Sequence, residues 1–364
     1  VDAAKLKLAP GQVVSSGLGL LRYYEDGNEP DANWVKSDAS ALFSPAATAA
    51  MVSADYDGHQ GALGAGFGIK AADPEAKLVL PGLAGAGASP TDWVANVTTY
   101  LDGMRAWVDA NRGGAFPADV LNVHEYCFGA GAFGDADPPP GLSPEDCKLA
   151  ELLGRIAAYR DQHLPGKEVW LTEFGYDTHP HSRLRAPELG GNSAEIVQAQ
   201  WIVRSFLELL ASGIDRAFLY TSRDNCTGDE DACPDNAVQF STAGILTQKG
   251  EEKAKPAWYF LSAFRKRLGA MRYAGTVEAS DPQVRIAKFY DSANSVGAYV
   301  VWSSTSEARV VEAFALDVKP KSATLVTLTG DSETGVESAL SANGGHVSLA
   351  VSETPSIVLV EGEP

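Results

Sequence analysis

Five short apolar runs alternate with longer amphipathic stretches over residues 16–268, and this alternation is the strongest constraint on the fold. The runs cover residues 18–24, 77–83, 120–126, 168–174 and 216–221. Helical patterns lie between them at residues 44–64, 91–111, 143–162 and 193–212, and Ser193 fits the N-cap of the last. Such alternation predicts βα units and a parallel sheet. Five units do not close an eight-stranded barrel, and spacing alone also allows an open doubly wound sheet.

The pattern changes from about residue 269. Short alternating runs rich in β-branched residues follow at residues 283–290, 296–303, 309–316, 323–328, 347–351 and 358–361. Gly, Asn, Asp and Ser separate these runs, and no helical period appears. The sequence therefore predicts two domains, an α/β domain over residues 1–268 and a small antiparallel β-sandwich over residues 269–364.

The charge of the chain disfavours two classes of partner. The 364 residues include 29 basic and 47 acidic side chains, which gives a formal net charge of −18. Such a surface repels nucleic acid and anionic lipid, whereas a neutral ligand is indifferent to it. No run of eighteen apolar residues occurs, so we expect neither a membrane span nor a nucleic-acid partner.

The four cysteines fall into two local pairs beside loop-like segments, Cys127 with Cys147 and Cys226 with Cys233. This arrangement suits two disulfide-closed loops in an oxidising compartment, and it predicts a secreted or periplasmic protein. Free thiols are the alternative. Zinc is disfavoured because the spacings are not of the C-x₂-C type and no histidine lies near the second pair.

Two glutamates stand at the ends of predicted strands. Glu29 follows the first run within Asn-Glu-Pro, and Glu173 ends the fourth run within Thr-Glu-Phe-Gly. In βα folds the carboxyl ends of the strands face the ligand cleft. A single glutamate there is often a solvated loop residue, but two at matching positions favour catalysis. Glycoside hydrolysis needs such a pair, in which one carboxyl group protonates the leaving oxygen and the other attacks the anomeric carbon or activates a water.

Asn28-Glu29-Pro30 and Thr172-Glu173-Phe174-Gly175 resemble the signature of the large clan of retaining glycosidases built on TIM barrels. The resemblance spans roughly residues 16–268. It implies a partial (β/α)₈ barrel in which strands four to eight are present, Glu29 ends strand four as acid/base, and Glu173 ends strand seven as nucleophile. Several families of this clan carry a β-sandwich behind the barrel.

The resemblance also implies an activity. The expected function is cleavage of β-glycosidic bonds in a plant or microbial polysaccharide or oligosaccharide, without a cofactor. One alternative is a non-catalytic carbohydrate-binding or scaffold protein on an incomplete barrel, and another is an open α/β hydrolase of a different kind, for example a metal-dependent one. The first three βα units of the clan have no counterpart before residue 16, so we expect a longer natural protein or a second chain that completes the barrel.

Several neighbouring residues receive roles from the same resemblance. Asn28 would hydrogen-bond the sugar 2-hydroxyl, and Tyr126 would donate its hydroxyl to Glu173. His124 shares a strand face with Tyr126 by alternation, whereas Glu125 points to the other face and is set aside as a competing carboxylate.

Residues after strand eight could line sugar subsites, although packing or loop salt bridges would explain them equally well. These residues are Tyr220, Arg223 and Asp224. Trp34 could stack on a sugar ring, and it could equally belong to the core.

No metal site is predicted. His179 and His181 form a single pair on a proline-bearing loop, which offers too few ligands. The segment Asp55-Tyr56-Asp57-Gly58-His59 resembles part of a calcium loop but lacks the glutamate at position twelve, so we expect a turn at a helix end.

Overall fold

The computed structural model describes residues 10–11, 21–32, 43–87, 92–132, 135–225, 238–318, 320–343 and 345–361. The chain divides into two compact units. The first comprises Val1–Val123 and Arg160–Trp170, and the second comprises His124–Tyr159 and Leu171–Pro364. The boundary at residues 268 and 269 stays a prediction.

Five strands form one sheet in chain order. They are β1 (Tyr23–Glu25), β2 (Lys77–Val79), β3 (Val120–His124), β4 (Glu168–Phe174) and β5 (Arg216–Leu219). The first three pair in parallel, with Tyr23 opposite Lys77 and Val79 opposite Val120. All five predicted strands are therefore present, although β2, β3 and β5 end before their apolar runs do, and residues 18–20 of the first run lie outside the described residues.

Six helices are described along the chain. They are α1 (Pro45–Asp57), α2 (Ile69–Ala72), α3 (Trp93–Arg112), α4 (Leu149–His163), α5 (Ala194–Ala211) and α6 (Pro256–Leu268). Their ends follow local rules, since the Ser193 hydroxyl accepts the Ile196 N–H at the start of α5. Among the described helices, none is long and apolar enough to cross a membrane.

Two helix boundaries differ from the predicted ones for local reasons. α1 ends at Asp57 rather than near residue 64 because Gly58 adopts a left-handed conformation with φ 65°. α4 begins at Leu149 rather than residue 143, since Ser143 closes a turn with Asp146 and Lys148 has φ 58°. The sequence did not predict α6.

In the first unit, the parallel strands bury one compact apolar cluster. Val79, Val120 and Trp170 are almost fully buried together. The Tyr23 ring packs on the Trp170 ring at 4.7 Å between centroids. This packing fixes the first strand against the strands that follow it.

In the second unit, the strands described after α6 are antiparallel and lie in two sheets. They are β6 (Arg272–Val277), β7 (Val284–Asp291), β8 (Val296–Ser303), β9 (Val311–Leu316), β10 (Ala323–Thr327), β11 (Val336–Leu340), β12 (Ala342–Asn343), β13 (His346–Val351) and β14 (Ser356–Glu361). The sheet orders are β11-β10-β14-β8-β7-β6 and β12-β13-β9. Residues of both sheets, such as Val301 on β8 and Val351 on β13, share one buried core.

A buried ion pair links the helical part of the second unit to its antiparallel part. The Arg204 guanidinium on α5 binds the Glu145 carboxylate at 2.5 Å. The Trp302 indole on β8 donates to the same carboxylate at 2.7 Å. Three parts of the chain that are distant in sequence therefore share one hydrogen-bonded charge.

Candidate active site

Glu173 lies at the carboxyl end of β4. This strand is buried through Val169, Trp170 and Leu171 and becomes partly exposed at Thr172 and Glu173. The Glu173 side chain is 24% exposed. A carboxylate therefore emerges from an apolar strand with access to solvent.

Two side chains from the end of β3 and the loop after it contact the Glu173 carboxylate. The Tyr126 hydroxyl donates to Glu173 Oε2 at 2.7 Å, and His124 Nδ1 lies 3.6 Å from the same oxygen. His124 is 2% exposed, and its Nε2 lies 3.0 Å from Thr172 Oγ1. The imidazole is thus held between β3 and β4, and the sharing of one face by His124 and Tyr126 agrees with the alternation argument.

Glu125 lies between these two residues and contacts Glu173 through its backbone. Its N–H donates to the Glu173 carbonyl oxygen at 3.1 Å, which continues the pairing of β3 and β4. Burial raises the pKa of the Glu125 carboxyl to about 8. A carboxyl group that is mainly protonated at pH 7 is a poor nucleophile, so the structure gives no reason to prefer Glu125 over Glu173.

An aromatic cluster surrounds Tyr126. The Phe240 ring lies 4.8 Å from the Tyr126 ring and 5.6 Å from the Tyr220 ring between centroids. Phe128 lies 5.7 Å from Tyr126. Tyr220 therefore joins the cluster beside Glu173, while Phe240 comes from a loop for which the sequence predicts no role.

In the first unit, an unusual backbone conformation places Glu29. Its φ of 46° is left-handed, which is uncommon for a residue other than glycine. The Glu29 N–H donates to the Gly82 carbonyl at 2.9 Å, and a 3₁₀ turn over Pro30–Ala32 follows. The residue is 9% exposed. Asn28 pairs with Gly82 in a parallel bridge and is itself exposed.

Asp31 fixes this turn to the segment that follows β2. Its carboxylate accepts the backbone N–H groups of Ala84, Gly85 and Ala86 at 3.0, 2.8 and 3.1 Å. Burial raises the pKa of Asp31, and these three hydrogen bonds oppose that rise. The sequence contains no signal for Asp31, because an aspartate after Glu-Pro resembles any turn residue.

The remaining predicted site residues lie in different surroundings. The Arg223 side chain is 46% exposed, and its Nη1 lies 3.9 Å from Glu252 Oε1. Asp224 is buried and pairs with Lys255 at 3.1 Å. Trp34 lies outside the described residues. Contacts with a sugar at these positions stay a prediction.

The cysteine and metal expectations have separate outcomes. Cys127 and Cys147 form a disulfide, whereas Cys226 and Cys233 lie outside the described residues. The calcium-like segment is a helix end, as predicted, and the Asp57 carboxylate there binds the Arg112 guanidinium at 2.8 Å.

Sequence comparison gives no relative: no protein-family model matches the chain, and a search of curated proteins found no match. Solved structures do resemble it. A family 39 glycoside hydrolase from Bacteroides cellulosilyticus gives a TM-score of 0.61 at 18% identity, covering 93% of this chain and 57% of that one.

Two further solved structures are similar. A Paenibacillus polymyxa xyloglucanase from glycoside hydrolase family 44 gives a TM-score of 0.57 at 15% identity, over 93% of this chain and 66% of that one. A family 30 endoxylanase from Clostridium papyrosolvens gives a TM-score of 0.52 at 11% identity, over 94% of this chain and 66% of that one. The chain thus spans less than two thirds of each of these proteins, and the likeness shows that its fold is one found in glycoside hydrolases.

Proposed function

We propose that the chain carries the catalytic residues of a retaining glycoside hydrolase, with Glu173 as nucleophile and Glu29 as acid/base. The substrate would be a β-linked plant or microbial polysaccharide or oligosaccharide, and the enzyme would act outside the cell or in the periplasm. The observation that carries the proposal is the 2.7 Å hydrogen bond from Tyr126 to Glu173 at the end of β4, in a fold that glycoside hydrolases share.

The proposed reaction is a double displacement. Glu173 attacks the anomeric carbon while Glu29 donates its proton to the glycosidic oxygen, which leaves with the aglycone. Glu29 then removes a proton from a water that attacks the glycosyl-enzyme, and the Glu173 carboxylate departs. Because Glu173 Oε2 accepts the Tyr126 hydroxyl, we assign Oε1 as the attacking atom. This mechanism requires carboxyl groups about 5–5.5 Å apart.

The finer assignments belong to the same proposal. Asn28 would bind the sugar 2-hydroxyl, while Tyr220, Arg223 and Trp34 would line subsites. The parallel sheet would represent strands four to eight of a (β/α)₈ barrel, and the antiparallel sheets would form an accessory sandwich. The shared apolar core of those two sheets supports the last point.

The test follows hydrolysis of aryl β-glycosides and records the anomer of the first product by NMR. We expect retention of configuration. Glu173→Gln should lower kcat by about a thousandfold or more with the fold intact, because the nucleophile is lost. Glu168→Gln, at the opposite end of β4, is the matched control and should change kcat by about twofold or less.

Other results would change the proposal. An inverted first product would replace the glycosyl-enzyme by a water attack, for which the carboxyl groups stand about 6.5–9.5 Å apart. Saturable binding of oligosaccharides without turnover would instead favour the non-catalytic carbohydrate-binding protein.

A further inference from the structure

Phe240 has a backbone conformation that a phenylalanine rarely adopts. Its φ is 66°, in the left-handed region. For a bulky residue this conformation is strained, and it persists only where surrounding contacts impose it. Such strain often marks a segment that a functional site requires, so the contacts that impose it are informative.

The contacts that hold Phe240 come from Asp177, three residues beyond β4. Asp177 is fully buried. Its Oδ2 accepts the Phe240 N–H at 2.6 Å, while its Oδ1 accepts the Thr242 N–H at 2.9 Å and the Thr242 hydroxyl at 2.5 Å. One buried carboxylate therefore binds the strained residue and the segment that follows it.

A backbone carbonyl group of the same loop is also held by hydrogen bonds. The Thr242 carbonyl accepts Lys255 Nζ at 2.9 Å and Gln198 Nε2 at 3.2 Å. Lys255 is in turn paired with the buried Asp224 carboxylate, which also accepts the Gly244 N–H at 2.7 Å. Because these partners are buried, loss of any one would leave a polar group unsatisfied, and the loop has little freedom to move.

This fixed loop presents the Phe240 ring to Tyr126. The two rings are 4.8 Å apart and inclined by 59°, a tilted contact that favours one orientation of each ring. Tyr220 also packs edge-on against Phe240, at 5.6 Å and 87°. The orientation of the Tyr126 ring determines where its hydroxyl points, and that hydroxyl lies on Glu173 Oε2.

We propose that Phe240, held by Asp177, is a positioning residue that keeps the Tyr126 hydroxyl on Glu173. The inference rests on the proposed function insofar as it takes Glu173 to be the nucleophile. Phe240 acts through Tyr126, so its removal should impair turnover only while the Tyr126 hydroxyl is present. A stacking residue for sugar would behave differently, since its loss would mainly raise KM.

The kinetic test is a double-mutant cycle between Tyr126→Phe and Phe240→Leu. Tyr126→Phe should lower kcat by about 10–100-fold, as expected for loss of a hydrogen bond to a charged group. Phe240→Leu should lower kcat by about 3–30-fold, but by about twofold or less when Tyr126 is already phenylalanine. Phe240→Tyr keeps the ring and should restore near-normal kcat. Independent effects, or a change confined to KM, would overturn the inference.

A second readout does not depend on turnover. Tyrosines labelled with ¹³C at Cζ report their hydroxyl hydrogen bonds, and Tyr126→Phe identifies the resonance of Tyr126 among the 12 tyrosines. Phe240→Leu and Asp177→Asn should both move this resonance toward that of a solvated tyrosine. Phe289→Leu, which disturbs the Tyr273–Phe289 ring pair far along the chain, is the control and should leave it unchanged.

The two readouts separate the possible failures. An unchanged Tyr126 resonance in the folded Phe240→Leu protein would refute the positioning role, even if Glu173 is confirmed as nucleophile. Absence of hydrolysis by the wild type would refute the proposed function, while a shifted Tyr126 resonance would still support the contact between Phe240, Tyr126 and Glu173.

Discussion

Glu173 lies inside β4 near its carboxyl end, whereas Glu29 lies beyond the end of β1, and the contacts described around the two glutamates differ in kind. Glu173 has a strand backbone, its carboxylate accepts the Tyr126 hydroxyl, and His124 Nδ1 lies 3.6 Å from the same oxygen. Glu29 is placed through its backbone, by a left-handed φ, the Gly82 carbonyl and the turn clamped by Asp31.

The difference fits the two proposed roles. A nucleophile must present one oxygen along a defined line of attack, so donors that orient the carboxylate are useful. An acid/base must hold and release a proton in turn, so its position matters in both protonation states. A fixed backbone keeps the residue in the same place whether its carboxyl group is protonated or ionised. Loss of the Tyr126 hydroxyl should therefore impair the function of Glu173, and changes in the turn held by Asp31 should impair that of Glu29.

The largest expected effect tests whether the two glutamates differ in role. Glu29→Gln removes the proposed general acid, so kcat on substrates with poor leaving groups should fall by about 10²–10⁴-fold. Substrates with activated aryl leaving groups need little protonation and should be affected far less. Rates measured over a series of phenol leaving groups check this point, and equal loss along the whole series would contradict the acid/base assignment.

A smaller effect is expected from loss of the hydrogen bonds between the Asp31 carboxylate and the backbone N–H groups of residues 84–86. Asp31→Asn replaces one acceptor oxygen by a donor and leaves at least one of the three amides unsatisfied, which should cost about 1–3 kcal/mol of unfolding free energy. Turnover of substrates with poor leaving groups should also fall more than that of substrates with good ones, since the displaced residue would be Glu29, the proposed acid/base. Urea unfolding and the leaving-group series measure the two effects.

Asp73→Asn is the matched control for this change. Asp73 is exposed, and its carboxylate accepts the neighbouring Glu75 N–H, so the variant should lose about 0.5 kcal/mol or less. Equal destabilisation by the two variants would show that the hydrogen bonds of Asp31 do not stabilise the turn.

The smallest effect concerns the pH dependence of stability near the Glu29 turn. Burial, with the charge and hydrogen bond of Asp55, raises the pKa of Asp26 from 3.8 to about 6. Because the folded value is the higher one, this group stabilises the fold below about pH 3.8, and that contribution is lost as pH rises through about 6. Asp26→Asn should therefore be more stable than the wild type at pH 8, by about 1 kcal/mol after allowance for solvent screening.

Asp57 in the same unit provides a control of opposite sign. Its hydrogen bond to Arg112 lowers the pKa of Asp57, so the stability that it contributes is present above the usual carboxyl pKa and is lost at lower pH. Asp57→Asn should be less stable than the wild type at pH 8. Urea unfolding at pH 4 and pH 8 compares both variants, and the same direction of change in both would contradict the assignment.

The sequence by itself determined the strands and helices that obey short-range rules. The five apolar runs mark β1 to β5, and the Ser193 cap marks the start of α5, because periodicity and capping depend on neighbouring residues. It also placed Glu173 at the carboxyl end of a strand and put His124 and Tyr126 on one face, whereas Glu29, predicted at a strand end, lies in the segment after β1. The resemblance to retaining glycosidases, rather than the residue pattern alone, suggested the hydrogen bond from Tyr126 to Glu173.

Only the tertiary structure determined which carboxylates accept hydrogen bonds from the loops around the candidate active site. Asp31 binds amides 53–55 residues away, and Asp177 binds Phe240 across 63 residues. Nothing in the residues next to either aspartate along the chain indicates its distant partner. A carboxylate that folding removes from water is stable only when protein groups donate hydrogen bonds to it. The donors are the groups that the tertiary structure places nearby, whatever their distance along the chain.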